Sequence, residues 1–376
     1  MKIGPFEFSL RELSGAMGDF GTLFPLAIGY IAVCGLNPAG LLVTMGLANI
    51  ITGIVYRLPM PIEPMKVLAV VAIAQQWPPS LIYASGLGMG IVWLLFAVTG
   101  IMDYVAKYTP RPVIRGIQVA LGVLLALEAL KFLADWWLLG AVSVLIVIFL
   151  RQNRYAPAAV VLVLLGLAIT YFHGDLAQVK FTGFTLPEIT FFKPVEVWQG
   201  LLLAGFAQIP LTATNAVIST SSLIKKYFPD RPVSERRLSL NMGLMNLVFP
   251  FFGGMPLCHG AGGLAGQYYF GARTGGANIL EGLIEILLGL LLASSIAGLF
   301  AVFPQAIIGA MMFLVGLEMV KFARDVSFNR ELAVLAVTAL VSIFTNMAYG
   351  FLAGLGTHYL LVFLQNRKKE DRPADG

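Results

Sequence analysis

The 376-residue sequence contains little charge. Only 12% of its residues are Asp, Glu, Lys or Arg, against about 25% in a typical soluble domain. Hydrophobic residues make up 58% of the chain, and the mean hydropathy is +0.83. This composition excludes a soluble globular domain and indicates an integral membrane protein. The apolar runs are long and continuous, unlike the alternating ten-residue segments of a transmembrane barrel, so we predict helical spans.

Cysteine is also scarce, and Cys34 and Cys258 are too few for a disulfide framework. The net charge of +5 comes from basic residues in short loops between apolar segments. It therefore predicts contact with lipid and not binding of nucleic acid. The first twelve residues mix acidic and basic side chains, and no small-residue cleavage site follows them, so no removable signal peptide is expected.

Fourteen helical segments are predicted, seven on each side of a more polar connector at 172–196. They lie at 13–31, 39–56, 64–76, 80–106, 113–133, 136–151, 156–172, 197–221, 236–252, 259–271, 275–301, 304–321, 328–345 and 347–365. An odd number of spans in each half inverts the second half relative to the first. The sequence thus predicts an all-α polytopic protein with a seven-plus-seven inverted repeat, residues 1–190 and 191–376.

The basic residues orient these spans. With a cytoplasmic N-terminus, all Lys and Arg residues lie on the cytoplasmic side except Lys66, Lys131, Lys180 and Lys193. The positive-inside rule then places both termini in the cytoplasm, with the protein in an inner or plasma membrane. A weak internal similarity supports the repeat, because GDFGTLFPL at 18–26 corresponds to GFAQIPLT at 205–212.

Two irregular stretches interrupt the apolar sequence, LPMPIEPMK at 58–66 and GGMPLCHGAGG at 253–263. Irregular backbone within a membrane survives only where it is buried in protein or lines a cavity. Matched breaks in the two halves of a transporter indicate its binding site, built from two half-helices at spans 3 and 10. If their N-termini meet, two positive dipole ends favour an anion. The alternative is a pair of ordinary membrane kinks.

Four ionisable side chains are candidates for the site: Asp19, which lies well inside span 1, and Glu63, Lys66 and His259 at the two breaks. An intramembrane carboxylate is a proton carrier or the partner of a cation, or else a structural cap. Lys66 needs a partner, which is either a carboxylate or the anionic substrate. His259 could titrate near neutral pH or donate to an oxyanion. No second ligand pair accompanies Cys258 and His259, so neither a metal site nor a cofactor is predicted.

Uncharged polar residues of span 8 could complete the site. Gln208, Thr212, Thr214 and Asn215 can hold an anion without binding it too tightly, or they can hydrogen-bond between helices. Four further carboxylates are interpreted as members of interhelical or interfacial pairs. They are Glu128, which lies near Lys131, and Glu281, Glu285 and Glu318.

At these residues the sequence resembles the molybdate transporter family, which is related to the sulfate permeases. The similar segments are GAMGDFGT at 15–22, PIEPMK at 61–66, QIPLT at 208–212 with Asn215, and MPLCHGAGGLAGQ at 255–267 running on to FGAR at 270–273. The likeness extends over nearly the whole chain, and HGAGGL is its most specific part.

The resemblance implies a core domain of spans 1–4 and 8–11 and a gate domain of spans 5–7 and 12–14. Substrate would lie between spans 3 and 10, flanked by spans 1 and 8, and a homodimer is a further expectation. The implied substrate-binding residues are Thr22, Glu63, Pro64, Met65, Lys66, Gln208, Thr212, Asn215, His259, Gly260, Ala261 and Gly262.

The predicted function is uptake of a tetrahedral oxyanion, molybdate first and sulfate second. A dianion that enters against an inside-negative potential costs about 4.6 kcal/mol per 100 mV, so proton coupling through Asp19, Glu63 or His259 is expected. A nucleobase or bicarbonate carrier and a passive anion channel remain alternatives. An intramembrane aspartyl protease is rejected, because no second intramembrane aspartate faces Asp19.

Overall fold

The computed structural model describes residues 1–101, 104, 107–150, 158–179, 183–327 and 329–370, without the side chains of 19–22, 178, 366 and 368–370. Its helices are Leu10–Ala16 (α1), Phe20–Ala32 (α2), Pro38–Tyr56 (α3), Lys66–Ala74 (α4), Pro79–Thr99 (α5), Arg111–Asp135 (α6), Trp137–Leu150 (α7), Ala158–Phe172 (α8), Pro194–Tyr227 (α9), Glu235–Val248 (α10), Ala261–Phe270 (α11), Gly276–Val302 (α12), Gln305–Lys321 (α13), Arg330–Phe344 (α14) and Met347–Glu370 (α15).

Helices occupy each of the fourteen predicted segments, with α1 and α2 together forming the first. Seven helices of the described chain are long and apolar enough to cross a membrane: α3, α5, α6, α9, α12, α13 and α15. Three shorter apolar helices, of 10–17 residues, lie within α2, α7 and α8. The prediction of a helical membrane protein is confirmed, whereas fourteen as the number of membrane crossings stays a prediction.

The described chain also contains four short strands. Lys2–Ile3 (β1) pairs with Phe6–Glu7 (β2) at the N-terminus, and Glu63–Pro64 (β3) pairs with Leu257–Cys258 (β4) in the interior. The predicted polar connector between the halves contains a short 3₁₀ turn, Asp175–Gln178. It then runs along the second half, since Thr185 N donates to Leu290 O (2.7 Å) and Thr190 N to Phe251 O (2.9 Å).

The helices pack in pairs that join the two halves of the sequence: α3 with α12, α5 with α10, and α6 with α13. Glycines allow this close approach, as small residues do between membrane helices. A Cβ on Gly46 of α3 would overlap Gly282 O of α12, and a Cβ on Gly122 of α6 would lie 2.6 Å from Gly316 O of α13. The short helix α4 lies at the centre, with Val67 through Ile73 all at most 1% exposed.

A candidate anion site between two short helices

The two interrupted stretches meet in the β3–β4 ladder. Glu63 pairs with Cys258 and Pro64 with Leu257, in antiparallel register, and Met65 N donates to Pro256 O (2.9 Å). Each strand leads almost directly into a short helix, β3 into α4 and β4 into α11. Because antiparallel strands leave a ladder in opposite directions, the N-termini of α4 and α11 face one another. The ladder therefore brings two positive helix ends towards one place.

Gln208 of α9 caps the first of these helices. Its Oε1 accepts from Val67 N (2.7 Å) and Leu68 N (3.4 Å), and its Nε2 donates to Thr212 Oγ1 (2.5 Å). Both side chains are buried, and Met65 at the N-cap position supplies no side-chain hydrogen bond of its own. Gln208 therefore satisfies first-turn N–H groups that have no helical partner. This arrangement assigns it a positioning role for α4.

The helix that carries Gln208 is irregular on both sides of it. Leu201–Gly205 and Ala213–Ser219 are π-helical, and Pro210 lies between them. Proline removes one i→i−4 hydrogen bond, and π-turns widen the helix, a combination frequent at functional sites. These departures from regular geometry lie on the segment that contacts the start of α4.

Glu63 and Lys66 form an ion pair beside both helix ends. Lys66 Nζ lies 2.7 Å from Glu63 Oε2, and the two side chains are 16% and 2% exposed, respectively. The carboxylate lies against the first turn of α11, because a Cβ on Gly260 would lie 2.5 Å from Glu63 Oε2. Glu63 is thus held between an ammonium group and a positive helix end, which offset part of the cost of burying its charge.

The open side of this arrangement is at Gly262. Its neighbours Ala261 and Gly263 are buried, whereas Gly262 is exposed, and a Cβ built on it would meet nothing within 4 Å. Gly262 lies in the first turn of α11, where backbone N–H groups have no helical acceptor. Space next to such groups is what an anion requires, and the Glu63 carboxylate links this turn to Lys66.

His259 is buried and supports the backbone of the first break. It is 0% exposed, its Nδ1 lies 3.2 Å from Pro61 O, and its ring packs edge-on against Tyr56. Donation to that carbonyl requires the Nδ1–H tautomer, and Nε2 has no hydrogen-bond partner among the described residues. Within the described chain, no group of three or more His, Cys, Asp and Glu residues could hold a metal ion.

The other predicted site residues divide into three groups. Thr214 donates to the carbonyls of Pro210 and Leu211 of its own helix (2.9 and 3.2 Å), and Asn215 is half-buried two turns after Gln208. The side chains of Asp19 and Thr22, in contrast, lie outside the described part of the structure. Three more belong to the ladder region: Pro64 in β3, Met65 just before α4, and Ala261 as the first residue of α11.

Two asparagines that the sequence reasoning missed clamp the interrupted backbone. Asn278 Oδ1 accepts from Met60 N (2.8 Å), and its Nδ2 donates to Met60 O (2.6 Å). Asn246 makes the same two-sided contact with Leu257, at 2.8 and 2.6 Å. Each amide therefore acts as the strand partner that the broken segment lacks. The signal was available, since an asparagine in an apolar helix needs a partner.

Comparison with known proteins agrees with this geometry. A family model described as molybdate transporter of MFS superfamily matches residues 11–125 and 200–319. Molybdate transporter 1 of Arabidopsis thaliana is 31% identical over 412 positions, which cover 96% of this chain and 90% of that protein. The chain belongs to the molybdate transporter family. Its relatives are named as transporters, which confirms the prediction that it is not an enzyme.

Solved structures identify the fold of this family member. The transmembrane domain of the cyanobacterial bicarbonate transporter BicA matches with a TM-score of 0.66 and 17% identity, over 92% of this chain and 97% of that one. The anion transporter SLC26A9 matches with a TM-score of 0.73 and 14% identity, over 97% and 66%. These are transporters with the inverted-repeat fold. The description of the family model mentions the MFS superfamily, but MFS transporters have two six-helix halves and so a different fold from these structures.

The cap on α4 leads to a prediction for this family member. Replacing Gln208 with alanine leaves the N–H groups of Val67 and Leu68 without their acceptor. Such unpaired buried groups cost about 1–3 kcal/mol, so the Q208A variant should unfold at a lower temperature in detergent. Gln199 is exposed on the same helix, and Q199A is the matched control. Equal melting temperatures for the two variants would contradict the capping role.

Proposed function

We propose that this protein is a secondary active transporter that takes up a tetrahedral oxyanion, with molybdate as the preferred substrate. The observation that carries the proposal is the convergence of two helix N-termini beside Lys66, with open space at Gly262. A compact anion suits such a place because backbone N–H groups and the helix dipoles act together. Family membership favours molybdate within this chemical class.

The proposed ligands differ in what they do. The N–H groups at Gly260, Ala261 and Gly262 and the ammonium of Lys66 face the anion directly. Gln208 and Thr212 hold α4 in position, and His259 holds the loop before it. Thr22, Glu63, Pro64, Met65 and Asn215 complete the proposed substrate-binding set.

Charge balance supports coupling to protons. The Glu63–Lys66 pair is neutral overall, so a dianion brings two uncompensated negative charges to the site. Moving those charges inward against 100 mV costs about 4.6 kcal/mol, which cotransported protons offset. The three proposed carriers are Asp19, Glu63 and His259, and of these Glu63 lies beside both helix ends. His259 is less suited, since Pro61 O already engages its Nδ1.

The proposed cycle is alternating access in a structure with fourteen crossings and two inverted repeats, 1–190 and 191–376. The helix pairs α3–α12 and α5–α10 support a core of spans 1–4 and 8–11. The pairs α6–α13, α6–α14 and α14–α15 support a gate of spans 5–7 and 12–14. Both termini are proposed to be cytoplasmic, in an inner or plasma membrane, and the protein to form a homodimer.

The substrate can be tested on the purified protein by calorimetry or thermal shift. The ligands to compare are molybdate, tungstate, sulfate, bicarbonate and uracil. Selective stabilisation by molybdate and tungstate is the expected result. A response to sulfate alone would identify a sulfate transporter with the same site, because sulfate is also a tetrahedral dianion. A response to bicarbonate or uracil alone, or to none of the five, would overturn the proposal. Uptake that continues at the same rate without any ion gradient would indicate a passive channel.

A further inference from the structure

Glu285 is a buried carboxylate that lies outside the site described above. It sits in the middle of α12, on the face packed against α3, and is only 6% exposed. Asn49 Nδ2 of α3 donates to its Oε2 at 2.9 Å, and its Oε1 has no hydrogen-bond partner in the described chain. An amide is a weak partner for a full negative charge, and burying an unpaired carboxylate is strongly unfavourable.

A continuous chain of hydrogen bonds joins Glu285 to the loop that precedes α4. Asn49 Oδ1 accepts from Asn278 Nδ2 at 2.8 Å, and Asn278 binds both the N–H and the carbonyl of Met60. Met60 lies next to Pro61, whose carbonyl engages His259 and whose ring packs near Gly263. The carboxylate is thus connected, through two side chains, to the backbone that positions Glu63 and Lys66.

No basic side chain of the described residues faces Glu285. Glu281 lies one turn earlier on the same helix and is also buried. The neighbouring helices α2 and α3 contain no Asp, Glu, Lys, Arg or His; their phenols belong to Tyr30 and to Tyr56, whose hydroxyl donates to Arg237 O. The charged groups of the other elements packed on α12 are Glu7, Arg11, Glu12 and Asp175.

Those four groups lie towards the two ends of α12, and Arg11 is beside Gly271, which precedes the helix. Glu7 O is close to Gly276, and Glu12 Oε1 accepts from Arg273 N (3.0 Å). Nine residues separate Gly276 from Glu285, about 13 Å along a helix. Asp175 belongs to the turn beside Val179, which lies near Gly298 at the other end of α12. None of them compensates a charge on Glu285.

We propose that Glu285 is a proton-binding site, and that its proton is coupled to anion binding through Asn49, Asn278 and Met60. This inference rests on the proposed oxyanion transport. In the protonated state Oε1 carries the proton and Oε2 accepts from Asn49, so Met60 is clamped and the two helix ends are aligned. Loss of the proton leaves a negative charge on the Glu285 carboxylate. This charge attracts the Asn49 amide more strongly, and the hydrogen bonds from Asn278 to Met60 weaken as a result. No other reactant is needed, since the proton is exchanged with water on either side of the membrane.

Infrared spectroscopy on the purified full-length protein tests the proton site directly. The wild type should show the C=O stretching band of a protonated carboxylic acid, which disappears as the pH is raised. Glu285→Gln keeps the acceptor for Asn49 and should remove the band. Glu318→Gln is the control, because Glu318 pairs with Lys321 (3.2 Å) and is partly exposed. A band that persists in E285Q, or that E281Q alone removes, would overturn the assignment.

Proteoliposomes test the coupling. E285Q should retain molybdate counterflow without a pH gradient to within about twofold, but lose the stimulation of net uptake by an inward proton gradient. We expect that stimulation to be at least about fivefold in the wild type, the lower range of coupling between two sites. Equal stimulation in E285Q and E318Q would overturn the coupling. Absence of counterflow in the wild type would refute the transport proposal, and the infrared band would then decide the proton site by itself.

Discussion

Replacing Lys66 with methionine is expected to abolish measurable oxyanion binding. The substitution removes a lysine that lies beside both helix ends, and it leaves the Glu63 carboxylate without its ion-pair partner. Truncating one member of a buried charge pair costs about 2–5 kcal/mol or more in binding. A loss of 2 kcal/mol corresponds to about a 30-fold rise in Kd, and 5 kcal/mol to several thousand-fold. Calorimetry with molybdate measures it.

Lys131→Met is the matched control for this experiment. Lys131 and Glu128 form an i,i+3 pair of the same kind, 2.6 Å apart, but Lys131 is 71% exposed and far from the ladder in sequence. K131M should bind molybdate like the wild type. The double variant E63Q/K66M separates lost attraction from the uncompensated Glu63 charge. Unchanged molybdate binding in both K66M and the double variant would show that the anion does not lie beside Lys66.

Adjacent glycines at the start of α11 should respond in opposite ways to the same added methyl group. A Cβ on Gly263 would overlap Glu63 Oε1 and lie 2.8 Å from Pro61 Cβ. Overpacking of this kind costs about 1–3 kcal/mol or more in folding stability. The G263A variant should therefore be expressed at a lower level and unfold at a lower temperature than the wild type. Gly262 has open space, so G262A should fold normally but obstruct the anion.

The expected loss for G262A is about tenfold or more in affinity, the value of one hydrogen bond to a charged group. Thermal unfolding in detergent and calorimetry on both variants make the comparison. Full molybdate affinity in a folded G262A protein would exclude anion binding at the first turn of α11. A G263A protein as stable as the wild type would show that the Glu63 carboxylate does not lie against that turn.

The two interrupted stretches were predictable because lipid tolerates so few exceptions to helical backbone. PIEPMK at 61–66 and HGAGG at 259–263 indicate two broken spans. In the structure a short helix begins at the end of the first stretch and within the second. The partner of Lys66 was also within reach, because Glu63 lies three residues away. Asn278 and Asn246 were overlooked, although an amide in an apolar helix indicates a specific partner.

The contacts of the candidate site residues were less predictable than the positions of the two breaks. Gln208 looked like a ligand, yet its amide oxygen caps α4 across 141 residues of sequence. His259 looked like a donor to the substrate, yet Pro61 O engages its ring nitrogen. A side chain that is polar, buried and close to a helix end can serve the substrate or the scaffold equally well. Only the positions of its neighbours distinguish the two.

The amino-acid sequence is enough to identify a helical membrane protein with two broken spans and a resemblance to anion transporters. Composition and hydropathy decide these points because the cost of unpaired polar groups in lipid is large and local. Tertiary structure alone decided that β3 pairs with β4, that the helix ends face one another, and that Glu285 is joined to Met60. Those contacts connect residues roughly 190–240 positions apart, and no local rule specifies which distant groups will meet.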